Sequence, residues 1–370
     1  MTRLKVALIG SRGIPASYGG YETLMEELST RLVRLGLDVT VYCRSHNTPS
    51  HLGCYQGVKL TVLPTLRTKH LDTPVHTLLS CLHAARQDFD AALVVNSVNA
   101  IFVPILRSAG TPVALHVDGI ERQRAKWGPL GRLAYSVSER LAVRVPDVLI
   151  TDAEVIREYY QENYEAESRV LTYGVDPQPV APGETMRRLG LDSRRFFLYV
   201  SRFEPENNPH RVAEAYRAVG GDLPLVMVGG APYADRFVQS FTEGADPRVL
   251  FPGPIYGHGY RELLSHALAY IHATEVGGTH PALVEAMGYG NCVVVNGTPE
   301  NREVAADSGL YFDAGRPSTL TEHLQALVDD PGLREDRGRR AATLASARFS
   351  WKVVSEEYAE LFRELARDSC

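Results

Sequence analysis

Four stretches of this chain combine glycine, cation and carboxylate in patterns that suit an anionic, hydroxyl-bearing ligand. The densest is Glu275-Val276-Gly277-Gly278-Thr279-His280-Pro281, which follows the apolar run Ala269–His272 and opens into Ala282-Leu283-Val284-Glu285-Ala286-Met287. Proline suits a first helical position because its missing N–H is not needed there. The glycines ahead of it expose amide donors at the positive end of the helix, a combination that suits a diphosphate. Glu285, one turn inside, can accept hydrogen bonds from two neighbouring ribose hydroxyls. Its apolar neighbours imply a mostly buried helix and count against a plain surface glutamate.

The second stretch is Ser201-Arg202-Phe203-Glu204-Pro205-Glu206-Asn207-Asn208, at the end of another apolar run. Arginine at a strand end clamps phosphate bidentately; the alternative is a salt bridge to Glu204 or Glu206. The third, Gly10-Ser11-Arg12-Gly13-Ile14-Pro15, continues through Tyr18-Gly19-Gly20 into a helix beginning near Tyr21. Glycines admit a ligand close to the backbone, and a helix N-terminus favours an anion. The spacing is not the dinucleotide fingerprint GxGxxG, and Asp38 lies before the second strand instead of at its end. A glycine-rich turn without a ligand is the alternative. The fourth, Leu115-His116-Val117-Asp118-Gly119, sets two titratable side chains at a strand's carboxyl edge. The same residues also read as a core histidine and a turn-capping aspartate.

Elements must hold these loops. Short apolar runs alternate with helical patterns, the signature of parallel βα units. Leu4–Ile9, Val39–Cys43, Val58–Leu63, Ala91–Asn96, Pro112–His116, Val148–Thr151 and Arg169–Tyr173 read as strands, with helices at Tyr21–Leu35, His76–Arg86 and Leu130–Val143. Gly174 to Asp192 holds three prolines and three glycines and reads as a connection. A second series follows, with strands at Phe196–Ser201, Leu225–Val228, Val249–Phe251, Ala269–His272, Val293–Asn296 and Gly309–Phe312. Its helices read at His210–Ala218, Gly259–His266 and Ala282–Met287, and the chain closes with helices at Pro317–Val328, Leu333–Ala347 and Trp351–Leu365. The expected fold class is α/β, with two doubly wound, Rossmann-like domains facing a cleft. The expected boundaries are 1–178 with a returning helix 351–370, a linker 179–194, and 195–350. Ligands of such sheets bind beyond the carboxyl ends of the strands.

Composition bounds the function class. The 370 residues are 44% hydrophobic and 22% charged, with a net charge of −5, which gives no reason to expect a nucleic-acid partner. The five cysteines are scattered without a CxxC pair, so neither a disulfide framework nor a zinc site is suggested, and a reducing cytoplasm fits. No apolar run approaches the ~20 residues that span a bilayer, and the N-terminal apolar run reads as a strand and not a signal peptide. The loop Glu121-Arg122-Gln123-Arg124-Ala125-Lys126-Trp127-Gly128-Pro129 sets cations beside a tryptophan. That pattern suits a lipid-linked acceptor or the cytoplasmic face of the inner membrane, and equally an ordinary solvated loop.

With these motifs in hand, the chain resembles the retaining GT-B glycosyltransferases of the glycogen-synthase-like class (family 4 type). Within that class it is similar to the rhamnosyltransferases of bacterial surface polysaccharides. The resemblance runs through SRGIPASYGGYET, HVDGIERQRAKWG, SRFEPENN and EVGGTHPALVEAMGYG. It implies a nucleotide-diphosphate sugar as donor, dTDP-L-rhamnose above others, and a saccharide or lipid-linked saccharide as acceptor. No metal or other cofactor is expected. Arg202 would contact the diphosphate, Gly277, Gly278 and Thr279 would offer amides to it, and Glu285 would hold the ribose. Gly19 and Gly20 would lie against donor phosphate or acceptor, and His116 or Asp118 would approach the transferred sugar.

The class has two glutamates, the earlier of which falls here on Gly277 with Glu275 just upstream. It also has a lysine where this chain has Asn207. Glu275 and Asn207 are therefore candidates at those positions, and Arg12 is the candidate second cation. Rival readings are a same-fold nucleotide-sugar 2-epimerase, a sugar phosphorylase, a NAD-binding oxidoreductase, and a binding protein without turnover.

Overall fold

The computed structural model describes residues 3–16, 19–68, 71–120, 122, 128–230 and 235–368. The chain divides into two units, Met1–Tyr173 with Trp351–Cys370, and Gly174–Ser350.

In the first unit, apolar residues fill nearly every position of the central strands because helices cover both faces of the sheet. Strands β1 (Lys5–Ile9), β2 (Asp38–Arg44), β3 (Cys54–Tyr55), β4 (Val58–Leu63), β5 (Ala91–Val95), β6 (Val113–Val117), β7 (Val148–Thr151) and β8 (Arg169–Val170) stand in the order β3-β4-β2-β1-β5-β6-β7-β8. Pairing is parallel except for the β3–β4 hairpin. Helices α1 (Gly20–Arg34), α2 (Asp72–Ala84), α3 (Val103–Ser108), α4 (Pro129–Ala142) and α5 (Glu154–Tyr164) connect them.

The second unit repeats the plan with an all-parallel sheet. Strands β9 (Phe197–Val200), β10 (Leu225–Val228), β11 (Val249–Gly253), β12 (Ala269–His272), β13 (Cys292–Asn296) and β14 (Leu310–Phe312) stand in the order β11-β10-β9-β12-β13-β14. Helices α6 (Glu184–Leu189), α7 (Pro209–Tyr216), α8 (Asp235–Thr242), α9 (Gly257–His266), α10 (Pro281–Gly288), α11 (Pro299–Ala305), α12 (Pro317–Asp329) and α13 (Pro331–Arg348) complete it. The last helix, α14 (Trp351–Asp368), belongs to the first unit. Its Trp351, Val354, Tyr358, Phe362 and Leu365 share a core with Leu24, Leu28 and Leu32 of α1, and Arg31 lies 5.4 Å over the Trp351 ring.

The two Rossmann-like units are those the βα alternation predicts, but their boundary is not. It falls at Tyr173/Gly174, and residues 179–194 are part of the second unit and not a free connection. The reason is one carboxylate. Glu262 on α9 accepts the N–H groups of Gly183 (2.6 Å), Thr185 (3.2 Å) and Met186 (2.9 Å), which satisfies the uncapped start of α6. A proline- and glycine-rich composition does not reveal a partner some eighty residues away. Strand β3 and helices α3, α5, α6, α8 and α11 also escape the sequence reading, being short or lacking a clean apolar period. Among the described residues, no helix is long and apolar enough to cross a membrane.

Candidate functional site

Each sheet has one place where consecutive strands leave in opposite directions, and ligands of open α/β sheets bind there. In the second unit this switch lies between β9 and β12, and in the first between β1 and β5. Strand order thus brings the Ser201–Asn208 and Glu275–Pro281 stretches side by side.

The β9 and β12 loops are tied directly. The Glu275 amide donates to the Glu206 carbonyl at 2.9 Å. Asn208 donates through Nδ2 to the Ala273 carbonyl (2.9 Å) and to Glu275 Oε1 (2.9 Å). Arg202 is about one-third exposed, and its guanidinium pairs with Glu204 at 3.7 Å. Such a half-exposed pair holds weakly, so the guanidinium can turn to a phosphate at little cost. Asn207 is buried, and its Nδ2 donates to the Arg202 carbonyl at 2.8 Å. It therefore shapes the arginine loop.

Gly277 has φ +149°, and a Cβ there would sit 2.4 Å from His280 Cε1. The His280 ring fills the space a side chain would need, so the glutamate of the wider class has no room at this position. His280 packs in turn on His272, ring centroids 4.8 Å apart. Burial pushes the His272 imidazole down to about 3, so that ring is neutral near pH 7. Gly277 and Gly278 are buried, and neither amide donates to any group among the described residues. Buried backbone donors without acceptors are rare and costly. They stand just ahead of α10, whose N-cap His280 makes no side-chain capping bond. Thr279, also buried, completes the loop. On α10, Glu285 accepts the Tyr260 hydroxyl at 2.7 Å. Burial first, and then the Glu285 charge, raise the Tyr260 pKa well above its usual value, so the phenol remains a donor that fixes the carboxylate's direction.

The first unit's glycine loop is arranged differently. Gly13, at φ +109°, packs so tightly that a Cβ would lie 2.6 Å from Cys43 Cβ. The Arg12 amide donates to Glu22 Oε1 at 2.9 Å, the Ala16 amide to Glu26, and Tyr55 holds the other Glu26 oxygen at 2.8 Å. A Cβ on Gly19 would lie 2.7 Å from Glu22 Oε2. The buried Glu22 carboxylate thus already occupies the positive end of α1, which Gly20 begins, so a phosphate arriving there would meet a like charge. Burial lowers the Arg44 and His46 pKa values, and the Arg12 guanidinium nearby acts in the same direction on each.

His116 lies inside β6, fully buried. Its Nε2 meets the Leu171 carbonyl at 3.4 Å, and its ring packs edge-on to Tyr21 and Tyr173. Burial lowers its pKa to about 4. It is a neutral histidine packed within the first unit. Asp118 follows the strand and is half-buried; after burial itself, its charge is the largest influence raising the Tyr21 and Tyr173 pKa values. Sequence reasoning gave no role to Tyr260, His272, Asn208 or Glu22: the first two lie outside the quoted motifs, and the last two stand in motifs whose spacing does not show which group each side chain meets. Tyr18 and the loop residues 121 and 123–127 lie outside the described residues; Arg122 itself pairs with buried Glu139 at 3.3 Å.

Residues 184–343 match the family model described as "Glycosyl transferases group 1", and residues 3–176 match "Domain of unknown function (DUF1972)". Alpha-maltose-1-phosphate synthase of Mycobacterium tuberculosis is 24% identical over 398 residues, covering 98% of this chain and 100% of the relative. Sucrose-phosphate synthase from Thermosynechococcus elongatus superposes with a TM-score of 0.83 at 19% identity, covering 98% of this chain and 99% of the other. Anabaena HepE in complex with UDP-glucose gives 0.80 at 16% identity, covering 98% and 100%. The fold is that of the GT-B glycosyltransferases, and the match of residues 184–343 to the group 1 model supports a glycosyltransferase.

Proposed function

We propose that this glycosyltransferase takes a sugar from a nucleoside-diphosphate donor held at the β9–β12 switch and passes it, with retention at the anomeric carbon, to a saccharide or lipid-linked saccharide. The observation that carries the reading is the pair of buried Gly277 and Gly278 amides without acceptors among the described residues, on the loop after β12, the strand beside the one that leads to Arg202. In this reading the amides, Thr279 and Arg202 receive the diphosphate, Glu285 the ribose, and Glu275 the sugar. The likeness to a fold that holds UDP-glucose in HepE supports the donor class.

The bond from the anomeric carbon to the β-phosphate oxygen breaks while the acceptor oxygen bonds to the same face. The acceptor's proton passes to the departing phosphate oxygen. The protein then contributes position and stabilisation of the leaving charge, with no side chain as nucleophile. We further propose that this stabilisation needs no metal, that the donor is dTDP-L-rhamnose, and that the product belongs to cell-surface polysaccharide synthesis at the cytoplasmic face of the inner membrane. The motif resemblance supports the last two points.

Thermal shift with UDP, dTDP, GDP and NAD, each with and without magnesium, tests the donor. A ligand at about 100 times its Kd adds roughly 2.7 kcal/mol. One diphosphate should raise Tm without magnesium and lose its effect in Glu285→Ala. Stabilisation by NAD alone, or by none of the four, overturns the reading.

A further inference from the structure

A recess of about 520 Å³ opens beside this switch, at the carboxyl ends of β13 and β14, with Glu275 on its near wall. Its frame is built from buried amides. Asn301 Nδ2 donates to the Thr274 and Asn296 carbonyls at 2.9 and 3.0 Å, and Asn296 Oδ1 accepts the Ala314 amide at 3.1 Å. Arg211 adds a bond to the Ala314 carbonyl. The loops after three adjacent strands are thus cross-tied around an open space. Committing two buried side-chain amides to that task fixes the walls before any ligand arrives.

The lining decides the ligand's chemistry. Two carboxylates, Glu275 and Asp313, stand against two guanidiniums, Arg302 and Arg316. Arg316 pairs with Asp313 at 2.9 Å, and Arg302 lies 4.3 Å over the Tyr311 ring while donating to the Gly297 carbonyl at 3.1 Å. A charge-balanced wall gives little pull on a phosphate. Donors and acceptors alternating beside an aromatic ring suit a neutral ligand whose hydroxyls both give and accept hydrogen bonds.

We infer that this recess is a saccharide subsite, separate from the nucleotide's, which seats a neutral sugar residue of the acceptor. The inference rests on the glycosyltransferase reading above and adds to it the place where a sugar of the acceptor is held. Glu275 joins the two places: it lines the recess, and both its carboxylate and its backbone amide are tied to the arginine loop.

The test is amide NMR of the full ¹⁵N-labelled protein, titrated separately with methyl α-L-rhamnopyranoside, maltose and inorganic phosphate. Either sugar should shift the Gly297, Thr298 and Gly315 amides while phosphate leaves them in place. Arg316→Ala and Arg302→Ala should each weaken that sugar's Kd by about fivefold, with the affinity for the stabilising nucleoside diphosphate within twofold of wild type. Shifts from phosphate alone, shifts confined to Gly277 and Gly278, or none with any probe overturn the inference. Since the nucleotide titration reads the donor site by itself, loss of the donor reading and loss of the saccharide subsite register separately.

Discussion

The glycine-rich loops at the two switch points have opposite electrostatic states. In the first unit, Glu22 and Glu26 reach back from α1 and take the amides of Arg12 and Ala16, so the loop answers its own positive potential. In the second, among the described residues, the Gly277 and Gly278 amides have no acceptor, and the carboxylate paired with Arg202 stands 3.7 Å away. The same strand–loop–helix device therefore forms a shaped wall in one unit and, in the proposed reading, an anion cradle in the other. Glycine content does not tell the two apart; the presence of an internal carboxylate does.

The largest effect that would sharpen this contrast comes from Arg202→Ala. Loss of a cation facing the leaving diphosphate should lower kcat/KM by at least about 100-fold, roughly 2.7 kcal/mol of transition-state stabilisation, with Tm little changed. A loss within about threefold would remove the cradle from the mechanism.

Glu22→Ala comes next and acts on stability. It strands the Arg12 amide, at a cost of about 1–3 kcal/mol for an unsatisfied buried donor, and should lower Tm by several degrees. An unchanged Tm would mean that the first loop does not depend on its own carboxylate, and the contrast would fail.

The smallest effect concerns a carboxylate that satisfies backbone away from either switch. Burial pushes the Glu262 carboxyl up, but the amides of Met186, Gly183 and Thr185 together outweigh it and hold the pKa below its usual value. A depressed folded pKa means stability that is present above the unfolded value near 4.5 and lost as pH falls through the folded one. Glu262→Gln should therefore show a shallower fall of Tm below pH about 4.5, and identical slopes would show that the three amides do not stabilise the charged form.

Much of this was legible in the residues. Arg202, Glu275, Gly277 and Glu285 could be picked out because each sits at a strand end or a helix start within a short motif. Asn207 and His116 could be picked out by the same logic, but nothing local shows that Asn207 turns back to the Arg202 carbonyl or that His116 lies within the strand's buried length.

What the sequence determined by itself is the alternation of buried strands and helices, and with it the positions of the loops. That pattern is local: a strand covered on both faces must be apolar at nearly every residue. Strand order decided the rest. Only the pairing of β9 with β12 sets Asn208 against Glu275, and only the packing of α9 on α10 hands the Tyr260 hydroxyl to Glu285. Likewise, His280 takes the room beside Gly277 only once the loop has folded back on β12. These contacts join groups by closing the chain around a core, and hydrophobic patterning fixes which residues are buried without fixing which polar group meets which.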